Sequence, residues 1–262
     1  MPKFAANLSF LYQELTFIER IARAGADGFG AVEYVSPYEH DANEIAQALN
    51  KAGVEQALFN LPAGDWAAGE RGIGCLPGRD GEFRQGVETA IRYAKILRCP
   101  VVNCLAGLAP VDAQLEALDE TLVENLKYAA GRLHDEGIGL VTEPINQRDM
   151  PRFHLATTDH AERILDAVGS PNLKIQYDFY HMQITQGDVV ATYERLKHRI
   201  GHVQIADNPG RNEPGTGEIN YAFVLEALDR LGYDGWIGCE YRPLTTTTEG
   251  LGWMSRLQGE LR

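Results

Sequence analysis

Cysteine is scarce in this chain of 262 residues: Cys75, Cys99, Cys104 and Cys239 are the only four, and their spacing does not pair them as a metal-binding motif. They are too few for a disulfide scaffold at this size and are expected as buried free thiols. Positive charge is also in deficit. With 24 Lys and Arg against 37 Asp and Glu the formal net charge is −13, which repels a phosphate backbone over most of the surface and counts against a nucleic-acid partner. No apolar run approaches the length of a membrane span, and residues 1–7 lead straight into a strand pattern without a basic leader, so a cytoplasmic chain with no membrane contact is expected. A G-x-G-x-x-G order after an early strand, a P-loop and a nucleophile elbow are all missing, which removes three common cofactor and hydrolase readings.

What the sequence does have is a rhythm. Short apolar runs at 4–7, 31–34, 56–60, 101–105, 139–143, 173–178, 200–204 and 236–240 alternate with helical patterns such as 15–24, 42–52, 83–97, 115–134, 160–168 and 189–196. Such runs, bounded by Gly, Pro or Asn, read as buried parallel strands, and each strand with its crossover helix needs roughly thirty or more residues. Eight such units in about 250 residues predict an α/β fold: a single (β/α)8 TIM barrel occupying 1–262 as one domain, with no linker dividing it. The apolar fraction of 44% supplies a sizeable core.

Four of the runs end in an oxygen-bearing side chain: Glu143, Asp178, Gln204 and Glu240. In a barrel the C-terminal ends of the strands share one rim, where active sites are built. Any one of these residues could be a solvated rim group or a salt-bridge partner. Four in consecutive strands predict a site of three carboxylates and an amide oxygen, a hard set suited to Mg²⁺ or Mn²⁺ rather than to zinc. Such a site leaves positions at which a small 2-oxo or hydroxy acid could bind.

His181, three residues past Asp178, is expected to contact substrate or shuttle a proton. His202, two residues before Gln204, faces the same side of its strand one layer deeper and is expected to support the ligands from behind. After strand three a long loop carries Arg71 and Arg79, candidates for a guanidinium fork on a substrate carboxylate, although each could instead make surface ion pairs. Residues 207–221, dense in Gly, Pro and Asn, form a candidate substrate-covering loop. The sequence leaves a homo-oligomer open.

At Phe4-Ala5-Ala6-Asn7-Leu8-Ser9, Leu76-Pro77-Gly78-Arg79, His202-Val203-Gln204-Ile205-Ala206, the 209–221 loop and Gly235-Trp236-Ile237-Gly238-Cys239-Glu240-Tyr241, the chain resembles the hydroxypyruvate isomerase family. That family lies within the xylose-isomerase-like barrels, beside 2-oxo-tetronate isomerases and sugar epimerases, and the likeness spans nearly the whole sequence. The resemblance implies that Glu143 and Glu240 are the catalytic pair, that Glu143, Asp178, Gln204 and Glu240 hold a divalent ion, and that hydroxypyruvate and tartronate semialdehyde interconvert through an enediol. It does not say which glutamate takes the proton. A 2-oxo-tetronate isomerase is the nearest alternative; a metal-dependent phosphodiesterase, which would want several zinc ions and many histidines, and a sugar-acid binding protein without turnover are remoter ones.

Overall fold

A computed structural model describes residues 2–260. Eight strands, β1 (Lys3–Asn7), β2 (Ala31–Tyr34), β3 (Glu55–Asn60), β4 (Val101–Cys104), β5 (Gly139–Thr142), β6 (Leu173–Asp178), β7 (Ile200–Ile205) and β8 (Trp236–Cys239), pair in parallel in sequence order. β1 closes the barrel on β8, with Phe4 opposite Ile237 and Ala6 opposite Cys239. The ring of helices comprises α1 (Phe17–Ala26), α2 (Ala42–Ala52), α3 (Asp80–Leu97), α4 (Leu115–Asp135), α5 (Thr158–Val168), α6 (Phe179–Thr185), α7 (Val189–Leu196), α8 (Tyr221–Arg230), α9 (Thr247–Gly250) and α10 (Gly252–Glu260). No helix among the described residues is long and apolar enough to cross a membrane.

The elements form where local chemistry asks for them. Asp41 caps α2 by accepting from the Asn43 and Glu44 amides, and Thr157 caps α5 through His160 N–H. Outward-facing strand residues such as Val102, Val203 and Ile237 are buried in one continuous apolar layer with helix residues such as Leu122, Leu126 and Val224. Near the C-terminus Trp253 is buried, edge-on to Phe4 at 5.1 Å, and its indole N–H donates to the Tyr241 hydroxyl at 3.1 Å. This contact fastens α10 over the β1–β8 closure. All four cysteines are free and buried, as their scarcity suggested.

The expected strands are present, and two differences bear on the site. β5 and β8 stop at Thr142 and Cys239, so Glu143 and Glu240 are the first residues of their loops. α6, absent from the sequence reading, starts immediately after β6 because Asp178 serves both as strand end and as helix N-cap.

The barrel interior is polar near its axis. Glu33 on β2 has no exposed surface, and it sits where β8 offers no side chain: a Cβ built on Gly238 would lie 2.3 and 2.4 Å from the two Glu33 carboxyl oxygens. The Glu33 carboxyl is tied to Asn7, His202 and Gln204, so moving aside would break those hydrogen bonds. Gly238→Ala is therefore expected to lower the unfolding free energy by about 1–3 kcal/mol, read as a lower denaturant midpoint at unchanged m-value; an unchanged midpoint would mean that Glu33 can move aside.

Candidate active site

Parallel register brings the rim residues together. Asp178 lies opposite Gln204 and Gln204 opposite Gly238, so β6, β7 and β8 present one layer, with Glu240 two residues above it on β8's exit. Glu143, Asp178, Gln204 and Glu240 are all buried, and all but Asp178 line a cavity of about 1510 Å³ at the C-terminal mouth of the barrel.

Asp178 is split between two tasks. Its Oδ1 accepts the Tyr180 N–H at 2.8 Å, whereas Oδ2 is buried with no hydrogen-bond partner among the described residues. A buried carboxylate oxygen left without a donor is costly, and a bound cation is one way to satisfy it. The first turn of α6 then carries His181 over the same oxygen, with Nε2 at 3.6 Å from Asp178 Oδ2 and 3.8 Å from Glu143 Oε1.

The His181 tautomer follows from its neighbours. Asn146 Oδ1 accepts the Asp149 N–H, so the Asn146 amide nitrogen faces His181 Nδ1 at 2.6 Å and donates to it. Arg211 Nη2, also a donor, lies 3.4 Å from Nε2, so the two contacts compete for the ring; the much shorter Asn146 contact prevails and assigns the ring proton to Nε2, on the cavity side. Burial, reinforced by the Arg211 charge, drives His181 well below the usual imidazole range and keeps the ring neutral.

Burial also raises the carboxylates. It pushes Glu240 up to about 8 against the pull of Arg211, and Asp178 to about 6. Glu143 lies well above the ordinary range, first from desolvation and then from the charges of Glu240 and Asp178. Such a trio calls for positive charge.

Arg211, on the 207–221 loop, supplies some of it. Its Nη2 donates to Glu240 Oε1 at 2.9 Å and lies 3.9 Å from Asp178 Oδ2, while the guanidinium is held between the rings of Phe10 and Tyr180, at 4.7 and 5.1 Å. The loop owes its shape to one carboxylate. Asp207 accepts backbone N–H groups from Asn208, Gly215, Thr216, Gly217 and Ile219.

Beneath the rim, Gln204 Nε2 donates to Glu33 Oε1 at 2.7 Å, and its Oε1 accepts from Gln176 Nε2 at 2.7 Å. His202 Nε2 meets Glu33 Oε2 at 2.6 Å, and Asn7 Nδ2 donates to Glu33 Oε1 at 3.0 Å. His202 thus lies one layer below Gln204 and reaches it through Glu33. The sequence reading did not single out Glu33, although a glutamate inside the four-residue buried run Ala31–Tyr34 is itself a signal.

The two loop arginines separate. Arg71 lines the cavity, stacked 4.1 Å over the Trp66 ring, with Nη1 also donating to the Trp66 and Glu70 carbonyls. Arg79 does not reach the cavity. Two carboxylates within its reach capture it: Nη1 bonds Glu70 Oε1 at 2.5 Å and Nε bonds Glu82 Oε2 at 2.7 Å, making it a strut between the β3–α3 loop and α3 rather than a substrate clamp.

A closed parallel barrel whose polar residues gather at its C-terminal mouth defines the class of α/β-barrel enzymes. Residues 18–257 match the family described as xylose isomerase-like TIM barrels. The chain is 52% identical over 254 residues to the hydroxypyruvate isomerase of Escherichia coli, covering 97% of this chain and 98% of that one. It is 49% identical to a 2-oxo-tetronate isomerase of Cupriavidus necator, covering 99% and 100%. A crystal structure from Brucella melitensis, named AP endonuclease, family 2, superposes with a TM-score of 0.96 at 42% identity, covering 98% of this chain and 99% of that one. The chain belongs to the xylose isomerase-like TIM barrel family, in the group that holds hydroxypyruvate and 2-oxo-tetronate isomerases.

The 207–221 loop offers a test of how Arg211 is positioned. A Cβ on Gly217 would lie 2.0 Å from the Asn208 carbonyl oxygen and 2.7 Å from Asp207 Oδ1, so Gly217→Ala has to displace the loop. Turnover of the relatives' substrates is expected to fall by about 10²-fold while thermal unfolding shifts little, because the barrel strands are untouched. Unimpaired turnover would show that Arg211 needs no such precise placement.

Proposed function

We propose that this chain is an isomerase that interconverts hydroxypyruvate and 2-hydroxy-3-oxopropanoate (tartronate semialdehyde) by proton transfer through an enediol, with Mg²⁺ or Mn²⁺ held by Glu143, Asp178, Gln204 and Glu240. The observation that carries the proposal is the gathering of three buried carboxylates around the unpartnered Asp178 Oδ2. The donors are hard oxygens, which suits these ions. When bound, such an ion polarises the substrate carbonyl and spreads enediolate charge.

The chain's own groups account for the rest of the reaction. Arg211 lines the cavity, and its guanidinium is a candidate donor for the substrate carboxylate. Arg71, on the wall, is a second candidate for that carboxylate. One of Glu143 and Glu240 takes the proton from C3 and the other delivers one to C2. His181 Nε2–H gives a proton to the C2 oxygen as the enediol forms, and recovers one from the C3 hydroxyl as the aldehyde forms. A neutral ring with its proton on the cavity side can do both.

The 49% identity to a 2-oxo-tetronate isomerase and the volume of the cavity favour a four-carbon acid as second reading. For the phosphodiester reading suggested by the Brucella protein's name the support is thinner. His181 is the only imidazole lining the cavity among the described residues, and the formal net charge is −13. Four buried free thiols fit a cytoplasmic enzyme.

A coupled assay of metal-loaded protein on hydroxypyruvate and on 2-oxo-tetronate decides the substrate. The proposal expects the larger kcat/KM for hydroxypyruvate; a larger value for 2-oxo-tetronate gives the site to the four-carbon acid, and turnover of neither removes the isomerase reading. Glu143→Gln and Glu240→Gln are each expected to lower kcat by about 10²–10⁴-fold. In D₂O the product should carry deuterium at C2. Full turnover by both glutamine variants, with no label incorporated, would point to a hydride shift instead.

Cation binding is expected to release protons. Glu240, held near 8, and Asp178, held near 6, are partly protonated at neutral pH, and ligation requires their ionised forms. The sign for folding is the reverse of the usual carboxylate case. A folded pKa above the unfolded value leaves the cation-free protein less stable as pH rises from about 4.5 towards about 8, and bound cation offsets that loss. Calorimetry in buffers of different ionisation enthalpy should find protons released on Mg²⁺ binding near neutral pH, and fewer as the pH rises above about 8. Release of no protons near neutral pH would place the cation away from these groups.

A further inference from the structure

Outside the barrel mouth, three side chains converge without a role in the reaction above. His154 Nε2 and His160 Nε2 each lie 2.7 Å from the same oxygen, Asp119 Oδ1, and the two imidazole rings stand edge to face at 5.2 Å. They come from separate elements: Asp119 from the second turn of α4, His154 from the β5–α5 loop and His160 from the first turn of α5. We propose that Asp119, His154 and His160 form a second divalent-cation site, one of zinc chemistry, that ties α4 and α5 to the loop following Glu143.

The ligand types differ from those at the mouth. Two imidazole nitrogens and one carboxylate oxygen suit zinc, where the all-oxygen set suits Mg²⁺ or Mn²⁺. The geometry is close to what the ion requires. Ligands about 2.1 Å from a tetrahedral zinc stand about 3.4 Å apart, so the two pairs now at 2.7 Å need to open by under an ångström. The backbones that carry the ligands are already fixed. His154 N–H donates to the Gly107 carbonyl at 2.9 Å, and His160 N–H to Thr157 Oγ1 at 3.1 Å.

Protonation and access also fit. His154 is buried, and that burial holds its pKa below the usual imidazole range despite Asp119, which keeps the ring neutral; with the ring proton on Nδ1 instead of facing Asp119, Nε2 is free to ligate. The Asp119 side chain is 37% exposed, so the cluster opens to solvent on one side, where water can complete a fourth position. The site also has a structural consequence. The loop that ends at His154 begins beside Glu143 and includes Asn146, which orients His181, and Asp149, which accepts from Tyr180 Oη at 2.6 Å. A cation at His154 anchors the far end of the segment that sets two groups of the active site.

The test is zinc stoichiometry on the full chain by equilibrium dialysis, with Zn²⁺ as the probe. With Glu143→Gln/Asp178→Asn disabling the barrel mouth, one zinc per chain is expected, and adding His160→Gln or, separately, Asp119→Asn is expected to weaken it at least tenfold. Cobalt substituted into the same protein should show the visible absorption of a four-coordinate ion and lose it in both variants. His160, with 15% of its side chain exposed, is replaced by a residue that keeps a polar end, and Asp119→Asn, at a 37% exposed side chain, repeats the test from a different element. Zinc affinity unchanged by both variants, or no zinc bound at all, would overturn the site. The outcome is independent of the isomerase reading, since neither variant touches the barrel mouth.

Discussion

Everything at the barrel mouth rests on how one carboxyl group is accommodated at the axis. Glu33 is fully buried, and a buried carboxyl group is tolerable only when its oxygens are given donors. Asn7, His202 and Gln204 provide them, from β1 and β7. The consequence reaches upward. Because Glu33 takes the NH₂ end of Gln204, the amide cannot flip, and its oxygen is turned to the Gln176 side, the end that a hard cation would need. Gly238 completes the arrangement by leaving vacant the volume that the Glu33 oxygens occupy.

Above that layer the governing cost is desolvation of the carboxylates, with like-charge repulsion added to it. Burial raises Glu143, Asp178 and Glu240, and neighbouring charges add to it: Glu240 and Asp178 act on Glu143, Asp178 and Glu33 on Glu240, and Glu33 on Asp178, so the mouth is assembled against its own electrostatics. Arg211 offsets part of this from a loop, and the loop is ordered by five amides converging on Asp207. The rigid barrel therefore contributes the negative groups, and a strapped loop contributes the positive one.

Much of this was legible in the sequence because a parallel barrel converts order along the chain into position around a rim. The strand ends share one rim, so Glu143, Asp178, Gln204 and Glu240, each at or beside the end of its strand, could be grouped from their places in four apolar runs alone. Side-chain direction in a loop has no such rule. Arg71 as first candidate and Arg79 as second rest only on their place in one long loop, and in the fold Glu70 and Glu82 hold Arg79 away from the cavity while Arg71 stacks on Trp66 at its wall. Arg211 was hidden for the same reason: its partners Phe10, Tyr180 and Glu240 come from three distant segments. Glu33 was the more readable omission, since a charged residue within a buried strand has to be explained by something across the barrel. α6 escaped because its seven residues are too few for a periodic pattern, and only the cap at Asp178 announces it.

The double engagement of Arg211 constrains how an anionic substrate can sit. Its Nη2 is committed to Glu240 and its faces to Phe10 and Tyr180, which leaves Nε as its buried donor without a partner among the described residues. Under the proposed reaction a substrate carboxylate paired with the Arg211 guanidinium would lie beside Glu240. A longer acid keeps the same anchored end and projects its extra carbon into the open cavity, where few groups oppose it. Under that reading the cavity wall, where Trp66 and Arg71 stack, is the place for chain-length selection, apart from the residues that carry out the proton transfer. That separation explains how two isomerases acting on acids of different length can each share about half of their residues with this chain.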